Sequence, residues 1–173
     1  MNSEDIKNRF GSYHVGVLEQ DAAHRVASLY SEHAGKAVCR TLAVTYFWQP
    51  TPQVMLAADE RIREGHSIGS TLSDAGLFLQ RQLVLEARTR SGGSFEKLSA
   101  GTVRPGTPLM LRLYRLDAGT DSGSLSPYAT IAEAHHPEHI AADLSLAELS
   151  ELTGLEDEAL ATAALSTLMA NLE

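Results

Sequence analysis

The stretch Lys36–Phe47, KAVCRTLAVTYF, constrains the fold more than any other part of the chain. Apolar residues recur at every second position from Val38 to Tyr46, which predicts a β-strand with one buried face. Arg40 stands on that same face. A guanidinium keeps its proton, so among apolar neighbours it needs a carboxylate, several carbonyls or an anionic ligand.

A second stretch, residues 77–88 with the sequence LFLQRQLVLEAR, repeats this pattern with Arg81 in its apolar row. Either arginine alone is explained by a buried aliphatic stem whose charged end reaches water at the edge of a sheet. Two such positions on neighbouring strands favour a second explanation. We therefore hypothesise that Arg40 and Arg81 contribute to an anion-binding pocket.

Charge and cysteine content exclude several classes of protein. The chain has 173 residues and a net charge of −8, and all 14 lysines and arginines lie at or before Arg115. Such a chain lacks the basic surface that nucleic acids or anionic membranes require. The single cysteine, Cys39, excludes an intrachain disulfide and is typical of a reducing compartment. No apolar run is long enough to span a bilayer, so we expect a cytoplasmic protein.

The order of elements predicts an α+β fold with an antiparallel sheet of about six strands. Two helices, at residues 54–64 and 67–75, are inserted between the strands. Ser145 and Glu148 have the spacing of a capping box, which predicts a helix over residues 145–154. A final helix is predicted to open with Glu156, Asp157 and Glu158. Together the two helices would form a C-terminal helical hairpin. We expect residues 1–140 to form the main domain, with the hairpin of residues 141–173 packed on it or placed at a homodimer interface.

Several short segments together resemble the chorismate lyase family and the UTRA ligand-sensing domains of bacterial regulators. They are residues 25–31, the turn at Gly35, the strand core Val38-Cys39-Arg40-Thr41-Leu42-Ala43-Val44, the segment Ile68-Gly69-Ser70-Thr71-Leu72, the central arginine Arg81, and the run from Gly123 through Glu133 to Pro137. The similarity covers roughly residues 24–140. It implies a chorismate lyase-like fold that binds a small aromatic or enolpyruvyl carboxylate without a cofactor.

The resemblance also implies roles for particular residues. Arg40 would bind the carboxylate of the ligand and Glu133 would face its ether or hydroxyl end. We further expect Arg81, Gly69 and His135 to contact the ligand. The implied reaction is the elimination of pyruvate from chorismate to give a 4-hydroxybenzoate-type product. The alternative is a non-catalytic, UTRA-like binding domain.

The pattern of the last strand supports a role for Glu133 without the family. Between residues 128 and 135, Glu133 shares a face with apolar residues and with His135. A carboxyl group in an apolar wall has a raised pKa and can act as a general acid. Arg40 and Glu133 could pair with each other, or they could flank a ligand that Arg40 holds by a bidentate contact.

Two other motifs suggest different chemistry. Gly65-His66-Ser67-Ile68-Gly69 matches the nucleophile elbow of serine hydrolases, with Asp117 or Asp121 and His135 as partners, but the elbow requires a preceding buried strand and a helix is predicted there. His135, His136 and His139 lie close to Glu133 in sequence and could bind a metal. Pro137 and the end of the strand scatter their directions, so we predict no metal site.

Overall fold

The computed structural model describes residues 2–155 and 158–173 and shows an α+β fold built on one six-stranded antiparallel sheet. The strands are β1 (His14–Gln20), β2 (His24–His33), β3 (Lys36–Phe47), β4 (Phe78–Arg90), β5 (Pro108–Gly119) and β6 (Ser126–His135). The α-helices are α1 (Asn2–Phe10), α2 (Leu56–Arg63), α3 (Ile68–Asp74), α4 (Gly93–Leu98) and α5 (Ala161–Leu172). The strand order across the sheet is β1-β2-β3-β6-β5-β4. This arrangement confirms the predicted fold class.

The sheet has two covered faces, and β3 lies near its centre. Leu42 and Val44 of β3 pack in one core cluster with residues of α4 and α5. A second cluster contains α2 and α3 with the ends of β3, β5 and β6. Because alternate side chains point to opposite faces, a strand covered on both sides is buried along most of its length. Residues 38–45 of β3 are all buried accordingly.

The helix α1 was not predicted from the sequence. Among its residues only Ile6 is fully buried, so the apolar periodicity that marks an amphipathic helix is nearly absent. Its charges agree with the helix dipole, because Glu4 and Asp5 lie in the first turn and Lys7 and Arg9 lie in the last. This order of charges is the feature of the sequence that indicates a helix at this position.

The C-terminal segment also differs from the prediction. Residues 145–154 do not form an α-helix; they contain a short 3-10 turn, Leu149–Glu151, with a capping box between Glu148 and Glu151. The Arg88 amide of the edge strand β4 donates to the carbonyl of Ala147, and Arg88 forms an isolated bridge with Glu148. The backbone before the turn is therefore engaged by the edge of the sheet instead of continuing a helix.

The remaining C-terminal helix, α5, packs on the sheet. Its buried face packs against β3 and β6 and comprises Ala161, Ala164, Leu165, Leu168 and Leu172. Of the residues predicted to open this helix, Glu156 and Asp157 lie outside the described part of the chain, and α5 begins at Ala161. None of the described helices has the length and apolar character needed to cross a bilayer.

Candidate ligand-binding site

Two rungs of the sheet and Leu29 of a third form the floor of a cavity. Each rung takes one residue from β2, one from β3 and one from β6, paired across the sheet on the face that α1 and α3 cover. The rungs are Arg25/Thr45/Ile131, Ala27/Ala43/Glu133 and Leu29/Thr41/His135. Two alanines stand in the middle rung between longer side chains. Their small size leaves a hollow in the floor, which we call the inner cavity.

The inner cavity has walls from several elements. It has an empty volume of about 560 Å³ counted to its mouth, within which the centre of a water molecule can occupy about 50 Å³. The larger figure includes open solvent, and the smaller one is room for about three to five water molecules at roughly 10–15 Å³ each, so a ligand of one ring must extend through the mouth of the cavity. The lining outside the three rungs comprises Asn2, Ser3, Tyr13, Ser67, Ile68, Gly69, Arg81, Tyr114 and Leu116.

Arg25 is a buried charge in this lining. It is 3% exposed, and its Nη1 donates to the carbonyls of Ile62 (3.2 Å) and His66 (2.8 Å). Its Nε has no hydrogen-bond partner among the described residues, and no described carboxylate lies within ion-pair distance. Burial lowers the pKa of the guanidinium, which nevertheless stays a cation at neutral pH. A buried cation without a counter-charge is costly, so this position is prepared for an anion.

Glu133 lies one rung further along the floor. Its Oε1 accepts hydrogen bonds from the Tyr114 hydroxyl (2.9 Å) and from Nδ2 of Asn2 (3.3 Å). Burial raises the pKa of Glu133, and the charge of Arg81 and these two hydrogen bonds offset part of that rise. Two strand spacings and two residue rises separate Arg25 from Glu133, which places their Cα atoms about 12 Å apart. The cavity therefore has a cationic end and a carboxyl end.

A second space, which we call the outer compartment, adjoins the inner cavity at Glu133. It shares Asn2, Arg81, Tyr114 and Glu133 with the inner cavity, and water centres can occupy about 370 Å³ of it. His135 lines this compartment and is 1% exposed. Its Nδ1 is hydrogen-bonded to the Thr41 hydroxyl at 2.9 Å, and burial lowers its pKa well below the usual range. The ring is therefore neutral at pH 7.

The structure brings together four of the five residues predicted for the site. Glu133, Arg81 and Gly69 line the inner cavity, and His135 lines the outer compartment. Arg81 is exposed, with its guanidinium carbon 5.0 Å from the centre of the Tyr114 ring. It stands at the boundary between the two spaces.

Arg40, the fifth, lies outside the lining of both spaces, which corrects the prediction that it and Glu133 face one hollow. It is the extra residue of a β-bulge, since Leu29 pairs with Thr41 while Tyr30 pairs with Cys39. Its Nη1 bonds to Glu138 at 2.8 Å and its Nε donates to Ser31. Its guanidinium carbon lies 3.8 Å from the centre of the Phe10 ring of α1. Arg40 is thus already neutralised and helps to hold α1 on the sheet.

The alternative chemistries can be compared with the same geometry. Ser67 does line the inner cavity, but its described hydrogen bond comes from the Tyr13 hydroxyl (3.4 Å) and not from a histidine. It follows α2 and precedes α3, so no strand leads into it. Asp117 is paired with Arg115. These contacts do not assemble a serine hydrolase triad.

The histidines near the end of β6 make separate contacts. His136 bonds to Thr102 through Nε2, and His139 bonds to Asn2 through its own Nε2. In residues 2–155 and 158–173, no group of three or more histidine, cysteine, aspartate or glutamate side chains is arranged to hold a metal ion.

Sequence reasoning missed Arg25, together with Asn2, Tyr13 and Tyr114. Arg25 carried the same signal as Arg40 and Arg81, because it alternates with Ala27 and Leu29 on one face of its strand. The predicted strand was weak there, so the arginine was not singled out. Asn2 was missed because the helix that carries it was not predicted.

Comparisons with known proteins add little to this geometry. No family model and no curated protein matches the chain. Among solved structures, gene product SA0254 from Staphylococcus aureus subsp. aureus N315 is 11% identical, with 79% of this chain and 76% of that chain covered and a TM-score of 0.43. The C-terminal domain of Yurk from Bacillus subtilis subsp. subtilis str. 168 is 14% identical, with 72% and 86% covered and a TM-score of 0.36. Likenesses this weak identify neither ligand nor activity, so the function is argued from the site.

Proposed function

We propose that this protein binds a small aromatic or enolpyruvyl carboxylate in the inner cavity, in the manner of a chorismate lyase-like protein. The observation that carries the proposal is Arg25, a buried cation without a carboxylate partner in the described residues, which lines a cavity. A ligand carboxylate would supply the missing charge and could accept from Nε, which has no partner in the described residues. Because Nε has almost no accessible surface, that hydrogen bond requires a small shift of the surrounding side chains. This assigns to Arg25 the role that the resemblance assigned to Arg40.

The other walls suit the body of such a ligand. Ile131, Leu116 and Leu29 offer apolar contacts, and Tyr13 and Tyr114 offer aromatic ones. Aromatic rings gain from such contacts, and the enclosed part of the cavity, where water centres occupy only about 50 Å³, favours a ligand of one ring. Glu133 then lies at the end of the ligand opposite the carboxylate.

The proposed reaction is the elimination of pyruvate from chorismate. The C–O bond between the ring and the enolpyruvyl group breaks, and the adjacent ring carbon loses a proton, so that the electron pair completes an aromatic ring. The ring proton passes to water, and the leaving enol takes a proton from water on carbon, releases its hydroxyl proton and becomes pyruvate. Glu133 is suited to donate a proton toward the departing oxygen, because burial raises its pKa. No cofactor enters this scheme.

The second candidate is a binding domain without catalysis, similar to the UTRA domains. It is favoured by the Tyr114 and Asn2 hydrogen bonds to Glu133, which stabilise the ionised carboxylate and weaken it as an acid. Both candidates use Arg25 in the same way. They differ in whether Glu133 transfers a proton.

Calorimetric titration with 4-hydroxybenzoate tests binding, and incubation with chorismate while pyruvate is measured tests catalysis. Arg25→Met should weaken binding by roughly 30-fold or more, because truncating one partner of a buried charge pair costs about 2–5 kcal/mol. Arg61→Met removes an exposed arginine from α2 and is the matched control, with unchanged binding. Equal affinities in the wild type and Arg25→Met would refute the proposal. Pyruvate release that is lost in Glu133→Gln supports the lyase, and tight binding without pyruvate supports the binding domain.

A further inference from the structure

The contacts around His135 determine which of its ring nitrogens carries the proton. The Thr41 hydroxyl accepts a hydrogen bond from Nδ2 of Asn2 at 3.4 Å, and it lies 2.9 Å from Nδ1 of His135. The described hydrogen bonds offer the threonine proton a single acceptor, which is that Nδ1. The orientation of the Asn2 amide agrees, since its oxygen faces Nε2 of His139. Hydrogen-bond partners fix the tautomer of a neutral histidine, and from these contacts we assign the proton of His135 to Nε2.

This Nε2–H group is buried and has no hydrogen-bond partner among the described residues. It lies 3.6 Å from Oε2 of Glu133, which is too far for a hydrogen bond. The other oxygen of that carboxyl already accepts from Tyr114 and Asn2. A donor and an acceptor are therefore left side by side where the inner cavity meets the outer compartment. Buried donors in native proteins are nearly always paired, so this unpaired donor of a cavity-lining residue is a candidate contact for a ligand. Nε2 has almost no accessible surface, and a ligand atom that reaches it requires a small shift of the surrounding side chains.

We propose that His135 is a specificity-determining residue, which donates from Nε2 to the ligand oxygen that Glu133 contacts through Oε2. The inference rests on the proposed function, because it assumes a carboxylate held at Arg25. With Glu133 ionised, the form that the Tyr114 and Asn2 hydrogen bonds favour, the one atom that both accepts from Nε2–H and donates to Oε2 is a hydroxyl oxygen. An ether oxygen can accept but cannot donate, and a ring hydrogen can do neither. The site thus selects a hydroxylated aromatic acid over its methoxy and unsubstituted analogues.

The sheet register supports this order along the ligand. Arg25, Glu133 and His135 belong to successive rungs, so a ligand anchored at the first rung points its far end toward the second and third. A site that hydrogen-bonds a hydroxyl discriminates strongly against analogues without one, because its polar groups are then left unpaired. The hydroxyl must displace any water held beside His135 and Glu133, so its contribution to the binding free energy is the difference between its contacts and those of the water. Comparing ligands that differ only in this group measures that difference.

The test compares three probes, 4-hydroxybenzoate, 4-methoxybenzoate and benzoate, by calorimetric titration. The wild type should bind the hydroxyl compound roughly tenfold or more tightly than the other two. In His135→Phe, a ring without a donor, the three affinities should agree within about twofold. In His135→Gln, whose amide can donate from a similar position, part of the preference should return. A merely structural histidine would lower all three affinities equally and leave their ratios unchanged.

The outcomes separate this inference from the proposed function. If benzoate binds in an Arg25-dependent way and the hydroxyl preference is the same in the wild type and His135→Phe, the inference is wrong and the proposed function stands. If none of the three acids binds the wild type, both are wrong. Should His135→Phe fail to fold, Thr41→Val decides the question, because it keeps the ring and removes the hydroxyl that holds Nδ1. Its hydroxyl preference should fall, and an unchanged preference would overturn the inference.

Discussion

Replacing Arg25 by methionine should abolish ligand binding and yet leave the fold nearly as stable as before. The side chain is 3% exposed and makes two hydrogen bonds, to the carbonyls of Ile62 and His66. Hydrogen bonds to a charged group contribute about 1.5–3 kcal/mol each. Their loss therefore lowers the free energy of unfolding by about 3–6 kcal/mol when counted alone.

The opposing term is the burial of the charge itself. Taking one ion out of water costs several kcal/mol even after relaxation, and methionine of similar length removes that cost. The Ile62 carbonyl keeps a second donor, the amide of Gly65, so it is not left unpaired. The two terms are of similar size, and we expect the free energy of unfolding to change by less than about 2 kcal/mol.

Urea denaturation with and without 4-hydroxybenzoate measures both effects. The ligand should raise the denaturation midpoint of the wild type and of Arg61→Met, but not that of Arg25→Met, because only a bound ligand stabilises the native state. A loss of more than about 4 kcal/mol in Arg25→Met, with ligand stabilisation retained, would mean that the arginine is a structural strut. That result would contradict the proposed role of Arg25 in ligand binding.

Three further predictions follow from the same geometry. Ala43→Leu fills the hollow, so it should abolish binding and change the free energy of unfolding by less than about 1.5 kcal/mol. Ala134→Leu, which is buried among core side chains elsewhere in the sheet, should lower the free energy of unfolding by about 1–3 kcal/mol and leave binding intact. Calorimetry and urea denaturation check both variants. The folded-state pKa of Glu133 is raised above its ordinary value of 4.5. Its contribution to stability is therefore present below pH 4.5 and lost as the pH rises through the folded-state pKa. Glu133→Gln should flatten the pH dependence of the denaturation midpoint above pH 4.5. Burial lowers the pKa values of His136 and His139 from 6.5 to about 4. The free energy of unfolding should therefore fall as the pH drops from 6.5 toward 4, by up to about 1.4 kcal/mol per pH unit for each proton taken up on unfolding. A denaturation midpoint that is constant over this range would contradict the lowered pKa values.

Much of the fold followed from alternation in the sequence. The bounds of β3 were predicted at Lys36–Phe47 and found there, because apolar side chains recur every second residue over the whole strand. The C-terminal segment 145–154 was predicted wrongly, since its capping pattern is local while the backbone partner at Arg88 is distant in sequence. Local signals cannot reveal that the edge of a sheet will claim the same backbone.

The site was harder to predict because it depends on register. Arg25, Arg40 and Arg81 each alternate with apolar residues along a strand. This pattern alone does not distinguish the arginine that lines the inner cavity floor from the others. The bulge at Arg40 brings that side chain to Glu138 and Phe10, and only strand pairing reveals the bulge. Pairing also places Arg25 two rows from His135, which no spacing in the sequence encodes.

The most direct test of the account is a crystal structure of the protein with 4-hydroxybenzoate bound. We expect the carboxylate of the ligand within hydrogen-bond distance of the Arg25 guanidinium, and its hydroxyl beside Oε2 of Glu133 and Nε2 of His135, within hydrogen-bond distance of both. A ligand bound at Arg40, or one bound in the cavity with its carboxylate turned away from Arg25, would contradict it.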